Sequence, residues 1–409
     1  MKYIILLGDG MADYPIDDLQ GMTPLEYART PNMDWIAENG SVGLIDTIPE
    51  GLTPGSDVAN LSVLGYDPVK YHTGRGPLEA ASMGVALAPD DRAFRCNLVT
   101  LSSETPTLIN DFTSGHITSE EARVIMKDLN GELGSDRIQF YPGVGYRHLM
   151  VLRGGSAVLA TTPPHDIVGE KIEKYLPEGD GSDIIIDLMN RSREILKNHP
   201  VNQKRISDGK NPASSIWLWG QGKAPEMNPL TERYNIDGGV ISAVDLLKGI
   251  GYYAGLAILD VEGATGYTDT NYCGKVERAL SYLQDNDFIF LHVEAPDEMG
   301  HEGNRGGKIS AIEDFDEKVV GRILEAMKGE GDFRIAVLSD HPTPISVKTH
   351  VSDPSPLAVY SSREGENLLN CGVFGEKSAK EGHVMISPGH SFMEYFIHDW
   401  RGFVERNRQ

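Results

Sequence analysis

Acidic and imidazole side chains follow short apolar runs at three places in this 409-residue chain. Asp9 comes directly after the run 3–7. Asp297 and His301 follow 288–293 by a few residues, and Asp340 and His341 come directly after 335–338. Carboxylate oxygens and imidazole nitrogens are hard to borderline ligands for divalent cations. In Asp297-x-x-x-His301 the two groups stand one helical turn apart, close enough to share an ion. Asp340 and His341 are adjacent on an irregular turn, where neighbouring side chains can diverge toward two ions. Each pair alone has a plainer reading as helix caps. Their coincidence at three strand ends is what points to metal. Ser56 is the candidate nucleophile, because Pro54-Gly-Ser56-Asp57 opens a predicted helix whose first amides and dipole favour an anion such as a phosphoryl group. A serine hydroxyl is weakly nucleophilic, and metal coordination is one way to activate it. The plainer alternative is an N-cap serine.

These groups need strands that end on a common edge, and in open α/β sheets ligands bind beyond the carboxyl ends of the strands. The continuous apolar run after Lys2 has the pattern of a strand buried on both faces. Thr30-Pro31 reads as N-cap and first turn of a helix to Asn39, followed by strand 42–48 and the helix through Leu64. After residue 214 the alternation returns, with strands 215–219, 256–259, 288–293 and 335–338 and helices 241–248, 275–283 and 309–327. Such spacing implies βαβ units and a mostly parallel sheet. Between them, strands 95–101, 138–141 and 147–152 join helices 119–129 and 184–196, the former with a Thr118-x-x-Glu121 capping box. The expected architecture is therefore α/β: residues 1–94 and 214–409 form the main domain, and 95–213 a smaller inserted α+β domain.

Lysine and arginine total 37 against 60 Asp plus Glu, a formal charge of −23 that argues against nucleic acid as a partner. Hydrophobic residues at 40% and charged ones at 24% describe an ordinary globular protein. Cys96, Cys273 and Cys371 have neither disulfide-framework nor zinc spacing and read as buried small residues in a reducing cytoplasm. No signal-peptide or membrane-span pattern is present, so a cytoplasmic protein with no membrane partner is expected. His72, His165, His199, His292, His383, His390 and His398 read as surface or packing histidines, and Trp217 and Trp219 as core. Met11 reads as packing beside the site, and the acidic residues of 309–328 as a solvated face.

Five stretches carry a family resemblance: Leu7-Gly-Asp9-Gly-Met-Ala-Asp13, the segment 49–68 around Gly55-Ser56-Asp57, Gly74-Arg-Gly-Pro-Leu-Glu79, Ala295-Pro-Asp297-Glu-Met-Gly-His301-Glu-Gly303 and Ser339-Asp340-His341-Pro-Thr-Pro344. Together they resemble the archaeal-type cofactor-independent phosphoglycerate mutases of the alkaline phosphatase superfamily, over nearly the whole chain. The resemblance implies an alkaline-phosphatase-like three-layer sandwich with an inserted substrate-binding domain. It implies one ion on Asp297, His301 and His350, the last in Lys348-Thr-His350, and a second on Asp9, Ser56, Asp340 and His341. Manganese, zinc or magnesium suits that donor set, and no bisphosphoglycerate is required. His116, in Ser114-Gly-His116, and more loosely Arg95, Arg147, His148 and Lys223 are the implied substrate contacts. The implied reaction interconverts 3-phosphoglycerate and 2-phosphoglycerate through a phosphoserine on Ser56, with the inserted domain closing over glycerate to exclude water. Another metal-dependent phosphotransferase or phosphomonoesterase, such as a homoserine-kinase-like enzyme, is the alternative, and a non-catalytic metal-stabilised protein a weaker one.

Overall fold

The computed structural model describes residues 1–155, 158–367, 372–382 and 384–407. Cys371 and His383 lie outside the described residues. The chain divides into two compact units, Met1–His72 with Glu226–Gln409, and Thr73–Pro225. In chain order the first unit contributes β1 (Lys2–Gly8) and β2 (Ser41–Ile45). The second contributes β3 (Arg92–Leu101), β4 (Ile109–Asp111), β5 (Ile138–Tyr141), β6 (Arg147–Leu152), β7 (Val158–Ala160), β8 (Glu178–Asp180) and β9 (Ser215–Gly222). The first unit then resumes with β10 (Gly238–Ile241), β11 (Ala257–Ile258), β12 (Phe288–Val293), β13 (Phe333–Leu338), β14 (Ser355–Ser361) and β15 (Val384–Ile386).

In the first unit eight strands form one sheet in the order β11-β10-β12-β1-β13-β14-β2-β15. Five of its seven pairings are parallel, the exceptions being the two made by β14. Every residue of β12 and β13 is buried, as a strand covered on both faces requires. The register sets the ends: Leu7 of β1 lies opposite His292 of β12 and Leu338 of β13. Asp9, the turn after Val293 and the turn after Leu338 therefore leave the sheet side by side. On one face Ile4, Leu6, Ile289, Leu291, Ile335 and Val337 pack with Val276, Ala279 and Leu283 of the helix Tyr272–Leu283 and with Phe315, Val319 and Val320.

The helix expected over 309–327 runs as Arg305–Phe315, a π-helical turn Asp316–Val320, and Gly321–Met327. Its acidic residues are not all a solvated face. Asp316 is buried and accepts hydrogen bonds from the backbone N–H groups of Asn32 and Met33 and from Asn32 Nδ2. It thereby satisfies the first turn of the helix Pro31–Asn39, whose N-cap Thr30 makes no side-chain capping bond. Asn32 also packs on Gly321, where an added Cβ would sit 2.7 Å from Asn32 Nδ2.

Strand 42–48 ends at Ile45, and the helix expected over 241–248 is instead strand β10 followed by the helix Asp245–Tyr253. Gly238 and Gly239 conceal β10 in the sequence, yet a Cβ on either would sit 2.7 Å from Phe288 or Leu259. β14 and β15 have no counterpart in the sequence reading.

In the second unit β4-β3-β6-β5 form an antiparallel sheet with β9 paired to β3. The unit is wider than 95–213. The run 215–219, read with the first unit, belongs to β9 here, because an apolar run does not disclose which sheet it joins. Ile125, Leu129 and Leu188, from the helices Ser119–Leu133 and Ser182–Lys197, pack with Phe94, Leu98, Trp217 and Trp219. The Thr118/Glu121 capping box is formed in both directions. Cys96 is buried in the same core. Among the described residues no helix is long and apolar enough to cross a membrane.

Replacing Asp316 with Ala strands two helix-start N–H groups and is expected to cost about 1–2 kcal/mol. Glu317→Ala, at the exposed neighbour, should stay within about 0.5 kcal/mol. Urea unfolding followed by circular dichroism measures both.

Candidate metal centre

Asp9 leaves β1 fully buried, with its Oδ2 2.7 Å from His292 Nε2 and its Oδ1 without a hydrogen-bond partner. Asp340 leaves β13 equally buried. Its Oδ1 accepts from the N–H groups of Gly10 (3.2 Å) and His341 (2.9 Å), and its Oδ2 from Asn60 Nδ2 (2.9 Å). His341 Nε2 stands 3.5 Å from both Asp9 Oδ1 and Asp340 Oδ2. Asp340 and His341 thus converge on one group and do not diverge, since the backbone turn folds the His341 N–H back onto its neighbour's carboxylate. Ser56 Oγ faces His341 Nε2 at 3.1 Å. Ser56 is the first residue of the helix Ser56–Val63, with Gly55 at the cap position, so the N-cap alternative does not hold.

A second group stands on the helix Ala295–Glu302 and the 348–350 segment. Asp297 Oδ2 lies 3.2 Å from His301 Nε2, Asp297 Oδ1 lies 3.6 Å from His350 Nε2, and the two Nε2 atoms lie 3.0 Å apart. Lys348 carbonyl oxygen, 3.1 Å from His301 Nδ1, accepts its N–H and leaves Nε2 to face the carboxylate. The rings of His341 and His350 are 4.3 Å apart, so the two groups adjoin.

Burial, and then the charges of Asp340, Asp297 and Glu294, push the Asp9 carboxyl well above its usual range. Burial likewise lifts Glu294 to about 8, with Asp297 and Glu298 adding to it. Burial also acts on Asp297, but hydrogen bonds from His301 and His350 hold it well below the usual value. Its hydrogen bond raises His301 to about 9. Such crowding of buried carboxylates, with one oxygen unpartnered and aimed at an imidazole nitrogen, is the environment a divalent cation relieves. Within each group all ligand atoms lie within 4.8 Å of one another. The oxygen and nitrogen donors fit two such ions.

The loops that carry these groups are tied from below. Lys308 Nζ is fully buried and donates to Asp13 Oδ2 (2.8 Å), Ala12 carbonyl (3.1 Å) and Thr343 carbonyl (2.9 Å). Met11 is buried beside them, the packing role its position implies.

Sequence reasoning missed two supporting residues here. His292 was read as packing, but it orients Asp9, and its Nδ1 stands 3.2 Å from Ser242 Oγ. An imidazole inside the otherwise apolar β12 was the available signal. Asn60, one turn after Ser56, donates from Nδ2 both to Ser56 carbonyl and to Asp340, and its i, i+4 spacing was visible.

In the second unit the expected contacts separate. His148 is buried, its pKa pushed down to about 3 by burial, and its Nδ1 accepts from Gly143 N–H. It stays neutral inside the sheet and supplies no charge. Arg95 lies over the Trp219 ring at 4.3 Å with Nε 2.8 Å from Glu79 Oε1, and Arg147 is exposed, 5.7 Å from the Tyr146 ring. His165 stands edge-on to Trp219 and Phe112, and Phe112 edge-on to Tyr146. Arg75 approaches Arg95 across Gly220. His165 and Arg75 were not foreseen as members of this strip. Lys223 lies apart from it, 3.8 Å from Asp90. His116 is exposed at the end of Ser114-Gly115-His116, three successive residues of positive φ (50°, 64° and 48°). Asp111, accepting from Thr113, Gly115 and Asn211, and Arg205, donating to Ser114 and Gly115 carbonyls, hold that loop.

Comparison with known proteins shows the family. The profile of the 2,3-bisphosphoglycerate-independent phosphoglycerate mutase family matches residues 37–202. A protein of that name from Methanosarcina barkeri is 56% identical over 386 residues, 94% of this chain and 96% of that one. A solved structure of a Pyrococcus horikoshii protein superposes with a TM-score of 0.83 at 31% identity, covering 98% of this chain and 97% of the other. The cofactor-independent phosphoglycerate mutase from Thermoplasma acidophilum does so with 0.63 at 28% identity, covering 97% and 99%. With a relative this similar over nearly its full length, the chain belongs to the 2,3-bisphosphoglycerate-independent phosphoglycerate mutase family.

Proposed function

We propose that this protein interconverts 3-phosphoglycerate and 2-phosphoglycerate, with Ser56 carrying the phosphoryl group between two transfers and no bisphosphoglycerate taking part. The observation that carries it is the placement of Ser56 Oγ at a helix start, 3.1 Å from His341 Nε2, beside a second, adjoining ligand group. Asp9, Ser56, Asp340 and His341 would hold one divalent ion, and Asp297, His301 and His350 the other, with manganese, zinc or magnesium suited to the donors. Such ions lower the pKa of a bound hydroxyl and offset charge on a transferring phosphoryl group.

The residues of the chain do the rest. Ser56 Oγ gives up its proton and attacks phosphorus, the ester bond to glycerate breaks, and the leaving oxygen takes a proton. The other glycerate hydroxyl then reverses the exchange. The first amides of the helix Ser56–Val63 favour the phosphoryl anion. Asn60 keeps Asp340 and the helix in register through its paired hydrogen bonds. Arg75, Arg95, Arg147 and His116 are the groups proposed to take the carboxylate or phosphate, with Lys223 a looser candidate. The strained loop supports His116, since consecutive left-handed residues persist only where surrounding bonds hold them. At a net charge of −23, an anionic substrate depends on such local cations.

Protein purified without chelator should contain about two divalent ions per chain by elemental analysis, and EDTA should abolish activity reversibly. Full activity of thoroughly chelated, metal-free protein would defeat the metal assignment.

Ser56→Ala should fall to assay background while unfolding within about 1 kcal/mol of wild type. With phosphate-labelled 3-phosphoglycerate, wild type should deliver the label to 2-phosphoglycerate, whereas stoichiometric release of inorganic phosphate would mark a phosphatase. Arg147→Ala should lower kcat/KM about 10–100-fold, the loss of a charged hydrogen bond. An unchanged kcat/KM would remove Arg147 from the substrate contacts.

A further inference from the structure

Thr343 is fully buried two residues after His341, on the segment that Lys308 ties down. Its backbone is fixed at both ends, because its N–H donates to Ala12 carbonyl (3.2 Å) and its own carbonyl accepts from Lys308 Nζ. The side chain is therefore aimed. Its hydroxyl donates to Asp297 Oδ1, in one ligand group, and its oxygen lies 3.3 Å from His341 Nδ1, in the other. Gly10, at φ +59°, leaves the space: a Cβ there would sit 2.7 Å from Thr343 Oγ1 and 2.5 Å from Asp297 Oδ1.

A hydroxyl has one hydrogen to give. A carboxylate oxygen only accepts, so the hydrogen goes to Asp297, and Thr343 Oγ1 is left as the acceptor for His341 Nδ1–H. That fixes His341 as the Nδ1–H tautomer, with the Nε2 lone pair directed at Asp9, Asp340 and Ser56. Donation to Asp297 also polarises the hydroxyl and makes it a better acceptor.

We propose that Thr343 is a positioning residue that couples the two ion sites, because one hydroxyl simultaneously orients Asp297 of the first and sets the ligating tautomer of His341 of the second. The proposal rests on the two-ion reading given above. With the Asp297 group occupied, that carboxylate would be held still, and Thr343 Oγ1 with it, so that His341 Nε2 would be presented to the other site. By linkage the effect is reciprocal.

The test is a cycle of Mn2+ titrations on the full-length, metal-stripped protein, followed by calorimetry, with no assay of turnover. The affinity of the Asp9/Asp340/His341 site is measured with the other site intact or broken by His301→Ala, in the wild-type and Thr343→Val backgrounds. Breaking the first site should weaken the second about tenfold in the wild-type background and leave it unchanged in the Thr343→Val background. Thr343→Val alone, which keeps the volume, should weaken binding about 10–100-fold, as loss of an outer partner of a ligand does. Thr343→Ser, which keeps the hydroxyl, should restore wild-type behaviour. In 15N-histidine-labelled, metal-free protein, His341 should appear as the Nδ1–H tautomer and lose that preference in Thr343→Val.

An unchanged coupling ratio and tautomer in Thr343→Val would overturn the proposal. So would a Thr343→Ser variant as impaired as Thr343→Val, because the hydroxyl would then be present without its effect. Wild type binding one ion or none would fail the two-ion reading itself, a result separate from two ions bound without coupling.

Discussion

Four carboxylates, those of Asp9, Asp340, Asp297 and Glu294, are driven together at the carboxyl edge of one sheet, and all interact through a buried environment. Gathering like charges out of water is costly, and the structure around it is arranged to bear it. Asp340 is met by two backbone N–H groups and Asn60, Asp9 by His292, and Asp297 by two histidines and Thr343. Every oxygen but Asp9 Oδ1 in the strand-end pair is thereby satisfied, and that one is turned toward His341. A divalent cation is the natural counterpart of what remains.

The cost is carried by parallel strands in matched register. Since β12, β1 and β13 are neighbours and end together, residues from three distant stretches arrive within hydrogen-bonding distance without any long loop. The loops that follow are then braced by a single buried ammonium group. Lys308 satisfies all its donors on Asp13, Ala12 and Thr343, so the segments after β1 and β13 cannot shift independently. Rigidity of this kind is what a transfer site needs, because a small displacement of a nucleophile is costly in rate.

The second unit shows a different use of polar groups. Its cations lie on aromatic faces and edges, with Arg95 over Trp219 and paired to Glu79 and the exposed Arg147 beside Tyr146. His148, one residue beyond Arg147 along β6, points the opposite way into the core and is neutral. Period-two alternation separates the two: neighbours in a strand face opposite sides, so adjacency in sequence is no guide to shared function there.

Most of the candidate ligand residues were legible in the sequence because hydrophobic runs and the polar residues that end them are local signals, whereas His350 was named only through the family resemblance. The strands 288–293 and 335–338, the one-turn spacing of Asp297 and His301, and the serine at a helix start could all be read from neighbouring positions. β10 was hidden by its two glycines, and β14, inside the sheet, and β15, at its edge, by pairings settled by partners far away in the chain. The run 215–219 was recognised as a strand but assigned to the wrong unit, since apolar periodicity reports burial and not the identity of the covering sheet. Asp316 looked like one more solvated acid until the helix Pro31–Asn39 was found resting on it. The sequence by itself determined which residue types stand at strand ends and helix starts, because those are properties of a few consecutive residues. Only the tertiary structure decided that Asp340 and His341 converge, that His292 and Asn60 orient the ligands, and that Thr343 touches both groups, since each depends on strand register and on contacts across hundreds of residues.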